Sequence, residues 1–289
     1  MITSEYTNSQ YHALPSISKS GLDLIAKSPA HFKAGFQGIG ANTARIGTAI
    51  HSRILEGDKN IVVAPDIPYR SGDDKAAWDD WFLANGASHP IAGAGVKSAD
   101  KFTEFESQTG LTVATESEHA EIVAMHESAL VTADDLLRDG LAEQSILFDY
   151  EGVSCRARPD LMNTERHLIV DVKSCADASE RAFRMSCAKY RYHVQQAFYS
   201  TGYHAETGHW PEFYFLAVEK TAPYLSAIYK LDELALANGI WLMERDIQTY
   251  KDCLASDEWP GYDNILNLSI PIFEEETFDI IIDGEVVAA

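Results

Sequence analysis

Asp160, Asp171 and Lys173 are the residues of this sequence whose types and spacing carry the most chemistry. In the segment RHLIVDVKS, strand alternation puts Leu168, Val170 and Val172 on one face and Ile169, Asp171 and Lys173 on the other. A carboxylate and an ammonium then project side by side from a strand with apolar flanks. Ten residues separate Asp160, in RPD, from Asp171, about the length of one hairpin, so the two acids can meet at neighbouring strand ends. Two carboxylates held that close repel unless a cation lies between them, and Mg²⁺ takes one or two carboxylates plus waters and phosphate oxygens. The plainer alternative is a surface ion pair of Asp171 with Lys173 and a turn aspartate after Pro159.

Further candidates lie on either side. In AKYRYHVQQAFYSTGY a helix places Gln195 and Tyr199 on one face at i and i+4, with Tyr203 a turn later, and leaves Val194 and Phe198 for the core. A buried tyrosine anchored by a glutamine is the structural alternative. His51 stands in GTAIH, with Gly47 one turn earlier where a backbone could approach a ligand, although a lone helical histidine is more often structural. Glu143, opening EQSILFDYE, reads either as an acid set behind the metal ligands or as an exposed strand end.

The elements that must hold these groups follow from periodicity. From about residue 143 a period of two gives three neighbouring strands, EQSILFDYE, VSCRARPDLMN and RHLIVDVKS, and two later ones, EFYFLAVEK and YLSAIYKLD. Helices are expected at about 177–188, 190–205 and 232–254. Upstream, SISKSGLDLIAKSP predicts a short helix capped by Ser18 or Ser20 and stopped by Pro29. RIGTAIHSRILEGD predicts a second, with Ile46, Ile50 and Ile54 at helical spacing and Gly57 ending it. The stretch 58–142 reads as a helical elaboration, and the tail after 255 alternates like an edge hairpin or extended arm. With no repeat or linker, the expectation is one α/β domain over 1–289: a mostly helical part (1–142), a core sheet with helices (143–255) and an extended tail (256–289).

Charge bounds the partners. The chain carries 23 basic and 44 acidic residues, a net charge of −21, the reverse of a typical nucleic-acid binder. Acidity of this kind mostly keeps a protein soluble. The distribution is uneven, however, and 156–191 holds eight basic residues, so a local basic path remains open. Arg158, Lys189 and Arg191, with Arg45 near the helix bearing His51, are its candidate DNA contacts. The four cysteines show neither a CxxC pair nor metal-ligand spacing. With no membrane-length apolar run and no leader pattern, the expected location is the cytoplasm.

Taken in order, GxxxH, PD, DxK and QxxxY resemble the RecB-like branch of the PD-(D/E)xK nucleases. More closely, HALPSISKSGLDLIAKSPAHFK, GTAIHSRILEGD, CRARPD, LIVDVKS and YRYHVQQAFYSTGY together are similar to the RecE-type (exonuclease VIII-like) exonuclease domain of phages and prophages. The resemblance implies a PD-(D/E)xK core, a central mixed sheet flanked by helices. It implies that Asp160, Asp171 and the Val172 carbonyl hold Mg²⁺, with Mn²⁺ a possible substitute, and that His51 completes or flanks that shell. Lys173 would orient or deprotonate the attacking water, with Gln195 and Tyr199 positioning it or the scissile phosphate. The implied activity is degradation of the 5′-ended strand of linear duplex DNA, leaving 3′ single strands for a strand-annealing partner. A homo-oligomeric ring, four subunits being one option, is implied as well, and would confine positive charge to a channel. Two rivals stand. An iron–sulfur nuclease of the same branch needs four clustered cysteines, which this sequence lacks. A non-catalytic DNA-end-binding module has no need of an intact acid pair and lysine.

Overall fold

Alternating apolar residues in the second half of the chain build a mixed sheet, with helices that precede it on one face and helices that interrupt and follow it on the other. The computed structural model describes residues 1–35, 41–57, 59–93, 97, 100–262, 279–282 and 285–288. The N-terminal half runs β1 (Ile2–Thr3), α1 (Asn8–Ala13), α2 (Lys19–Lys27), α3 (Pro29–Ala34), α4 (Ala41–Glu56), β2 (Ile61–Ala64), α5 (Gly72–Ala84), α6 (Asp100–Thr109), β3 (Thr112–Thr115), α7 (Glu116–Leu137) and β4 (Leu141–Ala142). It continues through β5 (Ser145–Tyr150), β6 (Val153–Ala157), β7 (Leu161–Asn163), β8 (Leu168–Cys175), α8 (Glu180–Lys189), α9 (Tyr192–Thr207), β9 (Glu212–Glu219), β10 (Ser226–Tyr229), α10 (Glu233–Ser256), β11 (Asp279–Ile282) and β12 (Glu285–Ala288).

The main sheet has the order β10-β9-β8-β7-β4, with β8 and β9 parallel and the other pairs antiparallel. One face carries Ile169, Phe213, Phe215 and Ala217 against Val194, Ala197 and Phe198 of α9 and Met243 and Ile247 of α10. The other carries Leu168, Val170, Val172, Leu216 and Val218 against Ile50 and Ile54 of α4 and Ile122 and Met125 of α7. Helix α10 lies close on α9 because Gly239 has no Cβ, which would fall 2.2 Å from the His193 carbonyl oxygen.

The expected strand VSCRARPDLMN is in fact two. β6 pairs with β5 in a separate sheet, β1-β5-β6, whereas β7 joins the main sheet, and Arg158, Pro159 and Asp160 form the crossing between them. Pro159 has no N–H to give to a ladder, so pairing is interrupted there. Ser18 caps α2, and Pro29 both ends that helix and opens α3 as its first residue. The elaboration at 58–142 is helical but also holds the parallel pair β2 and β3 and an aromatic core of its own around Trp78, Phe82, Phe102 and Phe105. In the tail, β11 and β12 form an antiparallel hairpin, and 263–278 lies outside the described residues. No helix of the described residues is long and apolar enough to cross a membrane.

Candidate active site

Strand β8 lies between two apolar layers, so any polar group on it must find a partner. Asp171 is 1% exposed and faces α9, where Gln195 Nε2 donates to its Oδ2 at 2.6 Å. Its Oδ1 is ion-paired with Lys173 Nζ. The Lys173 ammonium also lies 4.7 Å above the ring of Tyr192 at the start of α9. Desolvation alone would lower the Lys173 pKa, but Asp171 and Asp160 together hold it above the ordinary lysine value. Desolvation pushes Asp171 up to about 6, against the pull of Lys173 and with added repulsion from Asp160.

Asp160 sits one residue before β7, where the ladder to β8 would otherwise continue. The register Leu161↔Val170 ends the strand pairing, and in place of a backbone carbonyl the Asp160 carboxylate accepts from the Val172 N–H at 2.6 Å. Its other oxygen lies 3.5 Å from His51 Nδ1, presented by α4. Desolvation would raise the Asp160 pKa, yet His51, Lys173 and the Val172 amide hold it below the usual carboxylate value. The same pairing holds His51 above its ordinary value although desolvation opposes it. The neighbouring Glu143, in left-handed backbone at φ 53°, donates its N–H to the Asp160 carbonyl at 3.0 Å. Desolvation of its carboxyl group, then repulsion from Asp160, push Glu143 up to about 7.

This donor set fits a divalent cation. Asp171 Oδ1 is buried against the Lys173 ammonium, and two acids whose charges repel are balanced chiefly by that ammonium and His51. Among the described residues no three His, Cys, Asp or Glu side chains converge into a preformed metal cage. A hard divalent cation such as Mg²⁺ keeps several waters and takes few protein ligands, so two carboxylates can suffice. Asp160 and Asp171 would hold it, with His51 beside Asp160.

Tyr199, one helical turn after Gln195, lies beside the acids, and Gln195 hydrogen-bonds it; desolvation and the Asp171 charge raise its pKa well above the ordinary value. Its surface closes a groove of about 510 Å³ together with Lys173, Gln195, Tyr192, Lys189 and Lys19. A smaller cavity of about 190 Å³, on the Glu143 and Arg158 side, shares Tyr199, Lys19 and Ser20 with it. Tyr203, by contrast, is core: its ring is fully buried and its hydroxyl bonds His167 Nδ1 at 3.0 Å.

Residues 18–267 match the family described as PDDEXK-like domain of unknown function (DUF3799). The chain belongs to this family. Its mixed sheet flanked by helices is accordingly the PD-(D/E)xK fold. A solved structure from Eubacterium rectale, described as that of a proposed exonuclease, superposes with a TM-score of 0.57 over 93% of this chain and 97% of that one. At 12% identity the likeness is one of fold. The structure of SSO0001 aligns over 74% of this chain and 88% of that one at 14% identity, with a TM-score of 0.27, too low to bear on the argument. No curated protein matches the chain.

Within this DUF3799 chain the four expected DNA-contacting cations separate into different classes. Lys189 is exposed at the groove. Arg158 lines the smaller cavity but is held by Ser145 Oγ at 2.8 Å and the Tyr6 carbonyl at 3.1 Å. Arg191 borders the groove while bonded to Asp23 at 3.1 Å and to the buried Asp246. Arg45, expected along the DNA path, is instead 5% exposed, paired with Glu118 at 2.6 and 2.9 Å, and placed 4.5 Å from the Phe102 ring, so it ties α4 to α7. Lys19, Tyr190 and Tyr192 also line the groove, and no spacing rule in the sequence singles them out. Lys19 lies within SISKSG, and both tyrosines within KYRYHVQ; those segments carried the family resemblance, which was the available signal.

Proposed function

We propose that this chain is a divalent-metal-dependent deoxyribonuclease that cuts linear duplex DNA from an end. The observation that carries the reading is the buried Asp171 carboxylate, one strand from Asp160 and held between Gln195 and Lys173, which both line an open groove. Phosphodiester hydrolysis needs a lined-up water, a neutralised phosphoryl oxygen and a stabilised leaving oxygen. A bound Mg²⁺ or Mn²⁺ supplies Lewis-acid polarisation and lowers the pKa of a bound water. Lys173 keeps its proton beside Asp171, so it acts as a fixed cation that steers the water and steadies charge on the phosphoryl group. Gln195 fixes the Asp171 carboxylate, and the Tyr199 hydroxyl, held protonated, donates toward the phosphate. His51, beside Asp160, would join the ion's shell only as the neutral imidazole, since a metal ligand must be deprotonated.

The preference for the 5′-ended strand, the 3′ single-stranded product passed to an annealing partner, and a ring-like oligomer rest on the likeness of the motifs to RecE-type exonucleases. A ring also reconciles DNA binding with a net charge of −21, because only its channel has to be basic. The test uses linear duplexes labelled at the 5′ or the 3′ end, and a closed circle, each with Mg²⁺ and with EDTA. Mg²⁺-dependent release of the 5′ label with the circle intact is expected. Cutting of the circle would make the enzyme an endonuclease, and no cutting of any substrate would remove the nuclease reading.

A further inference from the structure

The groove beside Lys173 is lined by aromatic rings as well as cations. Tyr190, Tyr192 and Tyr199 line it along with Lys19, Lys173 and Lys189. Tyr190 stands at the mouth, 49% exposed, at the end of a continuous stack: its ring lies 5.7 Å from Tyr192, which lies 5.7 Å from the buried Phe215, both pairs at 24°. The backbone beneath it is pinned on both sides, its N–H donating to the Ser186 carbonyl at 2.9 Å and its carbonyl accepting from Lys19 Nζ at 2.7 Å. The only charged group over its ring among the described residues is Lys189 Nζ, at 5.0 Å, on an exposed side chain.

An exposed tyrosine at a helix end is ordinary by itself. This one differs because the same stack runs beneath the Lys173 ammonium, on the Tyr192 ring. We propose that Tyr190 is a stacking platform for one unpaired nucleobase of the strand being cut, which sets the neighbouring phosphate at Lys173. This deepens the nuclease reading and rests on it for the word "cut". Aromatic faces interleaved with cations are how single strands are held without regard to sequence, since every base offers a π face. An exposed cation–π contact is weaker than base stacking, so an incoming base displaces Lys189 from the ring and leaves its ammonium for the flanking phosphate. At about 510 Å³ the groove is in the size range that holds one small molecule, a nucleotide rather than both strands of a duplex. On this proposal the strand enters with its terminal base unpaired.

The experiment uses the full chain with Ca²⁺, and duplexes carrying 2-aminopurine in the terminal nucleotides, either blunt or with a short splayed end. Wild type is expected to quench the fluorophore and to bind the splayed end about 10-fold tighter than the blunt one. Tyr190→Trp keeps both properties; Tyr190→Ala and Tyr190→Leu lose both while binding Mg²⁺ as wild type does in calorimetry. Equal quenching and an equal splayed-to-blunt ratio in Tyr190→Ala and wild type would overturn the proposal even if the enzyme cuts DNA. Quenching that depends on Tyr190 in a protein that never cuts would instead uphold the platform and remove the nuclease reading.

Discussion

Gln195 reaches across from α9 to donate to Asp171 at 2.6 Å, so a helix between β8 and β9 sets the orientation of an acid that the sheet itself buries. A carboxylate with both oxygens engaged, one by an amide and one by an ammonium, has a single orientation. Preorganisation of that kind makes an electrostatic site effective.

Replacing either acid by its amide tests the metal assignment. Asp171→Asn and Asp160→Asn are expected to abolish cleavage and calorimetric Mg²⁺ or Mn²⁺ binding. Asparagine at 160 keeps an acceptor for the Val172 N–H, whereas Asp160→Ala leaves that amide unsatisfied and costs a further ~1–3 kcal/mol of stability. Wild-type metal affinity in either amide variant would sink the assignment.

Lys173→Met separates chemistry from metal binding. The expected loss is roughly 2–4 kcal/mol of transition-state stabilisation, about 30- to 1000-fold in kcat, with metal affinity retained. Turnover equal to wild type would make the lysine a mere counter-ion of Asp171.

Stability of the metal-free protein should fall as pH rises. Asp171, pushed to about 6, and Glu143, pushed to about 7, bind protons more tightly folded than unfolded, and His51, held above its ordinary value, does the same. Stability that these groups contribute is complete below their unfolded values and is lost as pH climbs through the folded ones. Asp160, held low, acts in the opposite sense only in acid, below its ordinary range. The Tm of the EDTA-treated protein should therefore drop between about pH 5 and pH 8, and added Mg²⁺ should raise it more at the upper end. A flat profile, or a larger Mg²⁺ effect in acid, would contradict the shifts.

Two cations distinguish packing from binding. Arg45→Ala should cost about 3 kcal/mol, the lower end for breaking a buried pair, and leave the salt dependence of DNA affinity alone. Lys189→Ala should leave Tm alone and flatten the log–log salt slope by roughly one unit. Anisotropy in Ca²⁺ and thermal melts measure both, and a swapped pattern would place the DNA path along α4.

What was legible in the sequence follows from local periodicity. Eight residues of β8 lie between two apolar layers, so alternation alone assigned Asp171 and Lys173 to one face, and helical spacing did the same for Gln195 and Tyr199. Arg45 was misjudged because its partner, Glu118, is 73 residues away, and a cation on a helix carries no local mark of being buried. The strands β2 and β3, four residues each, are too short for periodicity to register within a helical stretch. The break at Pro159 was hidden because β6 alternates up to it and β7, at three residues, is too short to show a period of its own. Groove residues near 19 and 190 meet only through tertiary packing.

That break leaves the amide of Val172 as a natural reporter. A central strand would normally bond this N–H to a neighbouring carbonyl, which no ligand can perturb; here its acceptor is the Asp160 side chain. Whenever that carboxylate turns toward a cation, the amide must share or lose its acceptor. A nitrogen-15 label on valine would then register occupancy of the site as a chemical-shift change and a gain in hydrogen exchange at one buried position, without any nucleic acid present.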